Sequence, residues 1–105
     1  MANYLLTYFG GNPPASPEEG KAHMAKYQQW LADLGDVAVS PMNPLKKIQT
    51  IAPDGSASPG SASHMSGYTI VAAASMEEAV AIAKACPFLS VGGTLEVGEL
   101  VDMGS

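Results

Sequence analysis

His23 is the residue best placed by type and spacing to move a proton. It stands four residues before Tyr27 and seven before Trp30. On a helix it therefore lies on or beside the stripe those aromatics mark, where Lys21 and Lys26 do not. An imidazole titrates near pH ~6.5 and can serve as acid or base at neutral pH. The same placement also suits a boundary histidine that only hydrogen-bonds backbone or water. Two carboxylates could orient it, Asp33 and Asp36. Asp33 is ten residues on and falls near the opposite face of the helix. Asp36 lies past Gly35 and could turn inward, although an exposed turn aspartate is the ordinary role there. His64, in a loop ahead of a strand-like run, is either solvated or a pocket group. Ser40-Pro41 and Asn43-Pro44 offer small polar groups that could bind an anion or a carbonyl oxygen, and they equally suit an ordinary turn. Tyr27, Ser40 and His64 are thus the candidate ligand-binding residues, with His23 and Asp36 the candidate acid–base pair.

Other chemistries have less to stand on. His23, His64 and a carboxylate make a conceivable metal set, but the His-x-x-x-His spacing of a zinc helix is absent and no metal is assigned. Cys86 precedes Pro87 at the C-terminal end of a helical stretch, the wrong end to stabilise a thiolate, and reads as core packing. The two Gly-Gly pairs lack the G-x-G-x-x-G and Walker patterns, so neither a nucleotide nor any other cofactor is expected. No Ser-His-Asp arrangement is recognisable.

The elements that must position these groups are legible in outline. Ser16-Pro17-Glu18-Glu19 and Ser75-Met76-Glu77-Glu78 are two Ser-x-x-Glu starts, each opening an apolar-periodic stretch after a strand-like run. In such a capping box the serine hydroxyl accepts from the N3 amide, and the glutamate reaches back to the serine amide. The first helix carries Met24, Tyr27, Leu31 and Leu34 as its stripe, with Trp30 beside it, and Gly35 ends it. The second runs from residue 76 to about residue 86, with Met76, Ala79, Ile82 or Ala83, and Cys86 inward, and Pro87 stops it. Tyr4-Leu5-Leu6-Thr7-Tyr8-Phe9 reads as a strand buried on both faces, Val37-Ala38-Val39 as a short strand, and Ser40 to Pro44 as a kinked loop. Lys47-Ile48-Gln49-Thr50-Ile51 reads as an edge strand, residues 54–66 as a flexible loop, residues 67–74 as a central strand and residues 94–101 as the last.

The sum is one α+β domain over residues 1–105, a β-α-β-β-α-β unit with two helices on one face of an antiparallel sheet. Tyr4, Leu6, Tyr8, Tyr68, Ile70, Leu95 and Val97 cannot all face the helices. A bare apolar sheet face marks an interface, and a homodimer closing two sheets into a barrel would cover it.

Composition narrows the partners. Of the 105 residues 47% are apolar, the net charge is −5, and all five cations are lysine. Without arginine, the usual bidentate reader of phosphate and guanine, an acidic chain is not expected to bind nucleic acid. Nor does it carry the basic patch that anionic membranes attract. The start, Met1-Ala2-Asn3-Tyr4-Leu5-Leu6, has no basic region, and its apolar run is too short for a signal peptide. With a single cysteine, the expected compartment is the cytoplasm.

Several segments together resemble the YCII-related family of small bacterial proteins, near its DGPF-type branch. They are Tyr4-Leu5-Leu6, the Ser-Pro-Glu-Glu start with His23, Gly67-Tyr68-Thr69-Ile70-Val71, and Ala83-Lys84-Ala85-Cys86-Pro87-Phe88 followed by Gly92-Gly93-Thr94-Leu95-Glu96-Val97. The resemblance implies a ferredoxin-like βαββαβ fold assembled as a dimeric α+β barrel. It also implies a helix-1 histidine, here His23, paired with an aspartate, Asp33 or Asp36. The Asp-Gly-Pro-Phe segment that names the branch is replaced by Ser58-Pro59-Gly60-Ser61, so no role is carried over from that loop. One relative is a dehydrochlorinase of aromatic degradation. The function expected is a small-molecule pocket, with cofactor-independent lyase or dehalogenase chemistry at His23. The alternatives are a non-catalytic binding or regulatory module on the same pocket, and an interaction protein whose sheet face binds a different chain.

Overall fold

The computed structural model describes residues 1–101. Two helices, α1 (Pro17–Leu34) and α2 (Met76–Lys84), accompany six strands: β1 (Ala2–Gly10), β2 (Ala38–Pro44), β3 (Gln49–Ile51), β4 (Ala57–Pro59), β5 (Met65–Ala73) and β6 (Gly93–Glu99). The main sheet has the order β2-β5-β1-β6, and every neighbouring pair in it is antiparallel. The protein is therefore α+β, with an antiparallel sheet.

Both helices begin at the expected serines. Ser16 Oγ accepts from the Glu19 amide at 3.1 Å, and Ser75 Oγ accepts from the Glu78 amide at 3.2 Å. The reciprocal half of the box differs. Glu78 Oε2 accepts from the amide of Ala74 at 3.2 Å, one residue before the cap, and the Glu19 carboxylate makes no such bond among the described residues. A carboxylate that does not close its own helix start remains available to other groups.

Strand register resolves the surplus of apolar residues. Tyr4, Leu6 and Tyr8 stand opposite Val71, Thr69 and Gly67 on one side and Glu99, Val97 and Leu95 on the other. Of these, Tyr4, Leu6, Tyr8 and Val71 pack with Tyr27 and Trp30 of α1, Ala79 and Ala83 of α2, and Cys86 just beyond it, and Leu95 and Val97 pack against that core. Side chains alternate across a strand, so Leu5, Phe9, Tyr68 and Ile70 occupy the opposite face, where each is half-buried. Met24 and Met76, expected on the inward stripes, are 45% and 41% exposed. Met24 borders a cavity instead of joining the core.

Two segments depart from the sequence expectation. Residues 40–44, expected as a loop, continue β2 as an edge strand with register shifts between Ala38 and Ser40 and between Ser40 and Asn43. An edge position with bulges tolerates Pro41 and Pro44, which cannot donate to a ladder. Residues 54–66, expected to be flexible, supply the second strand of a β3–β4 hairpin. That hairpin forms its own two-stranded sheet and does not edge the main one. It turns at Ala52-Pro53-Asp54-Gly55, where Gly55 N–H donates to Ala52 O at 2.9 Å and Asp54 Oδ1 accepts from the Ser56 amide at 2.9 Å. Pro-Asp-Gly is a turn signal with a mechanism: proline presets φ, aspartate bonds the backbone two residues on, and glycine takes positive φ. Gly55 sits at φ 89°.

Candidate functional site

A cavity of about 240 Å³ opens between α1 and the adjoining ends of β1, β2 and β5. Its walls are largely aromatic and thioether: Tyr8, Tyr27, Phe88, Met24 and Met42. His23 lines it one helical turn before Tyr27, as their four-residue spacing dictates.

At its floor lies a hydroxyl cluster. Tyr8 Oη is 2.5 Å from Tyr27 Oη and 2.5 Å from Thr69 Oγ1; Tyr27 Oη is 3.2 Å from Thr69 Oγ1. Thr69 donates to the Pro41 carbonyl at 2.7 Å. Each hydroxyl has one proton. With that of Thr69 committed to Pro41, two protons remain for three oxygen–oxygen contacts. The longest contact is then the one without a proton, and donation runs from Tyr27 to Tyr8 to Thr69 to Pro41. This order leaves lone pairs on the Tyr27 oxygen free. Burial is the largest influence on the Tyr8 and Tyr27 hydroxyls and pushes both up from their ordinary value of 10.0. At neutral pH the cluster is uncharged and acts by hydrogen bonding. The Cys86 thiol is likewise raised by burial and stays protonated.

Glycines hold the walls in place. A Cβ at Gly67 would sit 2.8 Å from the Asn43 carbonyl oxygen, so only glycine lets β5 approach the bulged strand this closely. Asn43 is fixed in turn, its Nδ2 donating to Ser40 Oγ at 2.9 Å and to Tyr68 O at 3.3 Å. The two Gly-Gly pairs have a common purpose. A Cβ at Gly11 would come within 2.8 Å of the Phe88 ring, and one at Gly93 within 2.2 Å. They clamp that ring from two loops and set one wall of the cavity.

His23 is half-buried. No buried side-chain nitrogen or oxygen among the described residues lacks a hydrogen-bond partner. The His23 ring nitrogens bond to no protein group among those residues, so they face open space and not the packed interior.

The remaining expected site residues are placed elsewhere. Tyr27 lies in the cavity wall with His23. Ser40 touches it only through Asn43. Asp36 is exposed in a 3₁₀ turn, Gly35–Val37, beyond the far end of α1. Thirteen residues of helical rise put it about 20 Å along the axis from His23. Asp33 is also on the surface, accepting from Gln29 Nε2 at 2.9 Å. The structure does not bring either aspartate to the imidazole. His64 is exposed at φ 61°, and its carbonyl accepts from the Gly10 amide at 3.0 Å. It forms the bend into β5 and is not among the residues lining the cavity. Among the described residues, no three His, Cys, Asp or Glu side chains gather closely enough to hold a metal ion. No helix there is long and apolar enough to cross a membrane.

Sequence reasoning missed Tyr8, Thr69 and Phe88. Tyr8 and Thr69 sit inside strands that also read as plain core, and only the β1–β5 register brings their hydroxyls together. Among known proteins, no family model and no curated protein matches the chain.

Proposed function

We propose that the cavity binds a small, largely apolar molecule and that His23 transfers a proton to or from it. The observation that carries this reading is the imidazole: half-buried, bonded to no group among the described residues, and facing a cavity whose other polar groups are neutral hydroxyls and the Asn43 amide. A volume of about 240 Å³ falls below the ~300–1,000 Å³ of drug-sized sites, which limits the ligand to a few rings at most. The reaction class that suits such a site is a cofactor-independent elimination. His23 removes a proton from a carbon beside a carbon–halogen bond, the C–H electron pair forms the double bond, and halide leaves. The Tyr27 oxygen accepts a hydrogen bond from the ligand and orients it. A base within hydrogen-bond reach typically contributes roughly 10²–10⁴-fold.

Membership of the YCII-related family belongs to the same proposal. The strand order β2-β5-β1-β6 supports a ferredoxin-like arrangement with the β3–β4 hairpin as an insertion. The half-exposed Leu5, Phe9, Tyr68 and Ile70 support a homodimer through that face.

One observation favours a non-catalytic ligand-binding module instead: no carboxylate lines this cavity, so the imidazole lacks the partner that usually fixes a catalytic tautomer. The two readings separate in one experiment. The protein is titrated with 2-phenylethanol while the Gly67 and Phe88 amides are followed by NMR, and is then incubated with a β-chlorinated lactone while chloride is measured. Chloride release that is lost in His23→Ala supports the enzyme. Saturable shifts without release support the binding module. Absence of both removes the pocket reading.

A further inference from the structure

A second cavity, of about 320 Å³, adjoins the first. His23 and Met24 line both, so these two side chains form the partition. The outer cavity differs in kind from the inner one: its polar groups are Glu19 and Asn12. Resting on the proposed small-molecule pocket, we propose that the ligand site has two chambers. The inner takes an aryl ring, and the outer takes a cationic nitrogen joined to it by a short linker, so that the ligand is a small arylalkylamine crossing the edge of the His23 ring.

The inner walls favour a ring. Tyr8 has its centroid 5.3 Å from Phe88 and 6.0 Å from Tyr27, both in edge-on geometry. A planar guest extends such an array at low entropic cost. The outer chamber favours a cation because Glu19 carries the only formal charge among the side chains lining either cavity. Its carboxylate does not bond to the helix start, as described above, and no described residue pairs with it. Lys21 and Lys26 on the same helix are exposed and line neither cavity. The N-terminus of α1 would by itself attract an anion, but one of its first amides, that of Glu19, is already held by Ser16 Oγ, and the full negative charge beside it outweighs a partial positive one.

The chamber is also built at its far wall. Asn12 N–H donates to Val91 O at 2.8 Å, fixing the loop. Gly92, at φ 79°, lets Asn12 Nδ2 lie where a Cβ would come within 2.8 Å of it. The Asn12 amide is therefore held against the second Gly-Gly pair, in the wall of the chamber that Glu19 also lines. The same glycine pair serves both chambers, since Gly93 clamps Phe88 in the inner one.

The test compares two probes of nearly equal shape, 2-phenylethylammonium and 2-phenylethanol, titrated into the wild-type protein and Glu19→Gln at low ionic strength. The Gly67 and Phe88 amides report the inner chamber, and the Gly20 and Val91 amides the outer. In the wild type the ammonium is expected to bind about 2- to 5-fold tighter than the alcohol, the range that an exposed ion pair supplies. It should shift all four amides, and its advantage should vanish in Glu19→Gln and fall with added salt. Equal affinities in the wild type, or a preference that survives Glu19→Gln, overturn the two-chamber proposal and leave the inner-chamber reading standing. If neither probe shifts Gly67 and Phe88, the pocket reading fails and the proposal with it.

Discussion

At the scale of single residues, His23 and the hydroxyl cluster make opposite predictions. His23 is bonded to no described protein group, so truncation strands no partner. His23→Ala is expected to move the denaturation free energy by less than about 1 kcal/mol while abolishing ligand response, both measured on the same variant. A badly destabilised His23→Ala that still binds would show a structural histidine. The cluster behaves otherwise because its members depend on one another. Thr69→Val leaves the Pro41 carbonyl and the Tyr8 hydroxyl without their partner, at roughly 1–3 kcal/mol for each buried group. Tyr27→Phe removes only the terminal donor and should cost roughly 0.5–1.5 kcal/mol. Urea midpoints in the order wild type, Tyr27→Phe, Thr69→Val check the direction of donation; the reverse order would contradict it. The cluster also sets a pH dependence. Tyr8 and Tyr27 are raised above 10.0 in the fold, so the unfolded chain loses these protons first as pH rises. The stability they contribute is complete below pH ~10 and declines above it. Alkaline unfolding should begin there, and Tyr27→Phe should flatten the profile.

Elements show how much of this was legible in the chain. Both helix starts were, because a capping serine followed by an apolar stripe is a local signal. The antiparallel α+β class was too, from the bulky apolar run of residues 4–9 and the alternation in residues 94–101. The bulged β2 was not: Ser40 to Pro44 carries two prolines, and only its pairing with β5 reveals a strand. The hairpin turn was legible in Pro53-Asp54-Gly55 but was masked by the Ser, Gly, Ala and Pro content after it, which reads as loop. That His23 and Tyr27 share one cavity wall was legible because one helix carries both at a fixed spacing. Asp36 was misplaced because a residue beyond a helix end has no spacing rule, and the 3₁₀ turn carries it away. The glycine pairs did not read as a clamp in the sequence, since that role depends on the Phe88 ring reached from elsewhere in the chain. That role is testable. A Cβ at Gly93 would meet Phe88 ring carbons at 2.2, 2.3 and 2.7 Å, and the ring must swing into the cavity or the loop must move. Gly93→Ala is expected to cost roughly 1–3 kcal/mol, as overpacking does, and to weaken 2-phenylethanol binding together with stability. Normal binding in a destabilised variant would separate the clamp from the site.

The whole molecule is flat. Its extents are 46 × 42 × 19 Å and its radius of gyration is 15.1 Å, whereas a compact chain of this length has one of about 13 Å. The short dimension is one helix layer on one sheet, and the β3–β4 hairpin packs chiefly on itself. A slab this thin cannot bury both faces of its sheet, which is why Leu5, Phe9, Tyr68 and Ile70 stay half-exposed beside a well-packed core. Each apolar side chain withdrawn from water contributes roughly 1.5–3 kcal/mol when fully buried. Completing that burial from two copies of one face gives association a strong driving force. The net charge of −5 opposes it only weakly, since exposed charges are screened within ~8 Å at physiological ionic strength. Sedimentation at micromolar concentration should therefore give twice the chain mass of 10.8 kDa. Ile70→Lys should give the single mass with an unchanged circular dichroism spectrum. In one copy the lysine stem can lie along the half-exposed face with its ammonium in water, but a second copy would have to bury that charge. A wild-type protein that sediments as a monomer would remove the dimer and require some other partner for the same face.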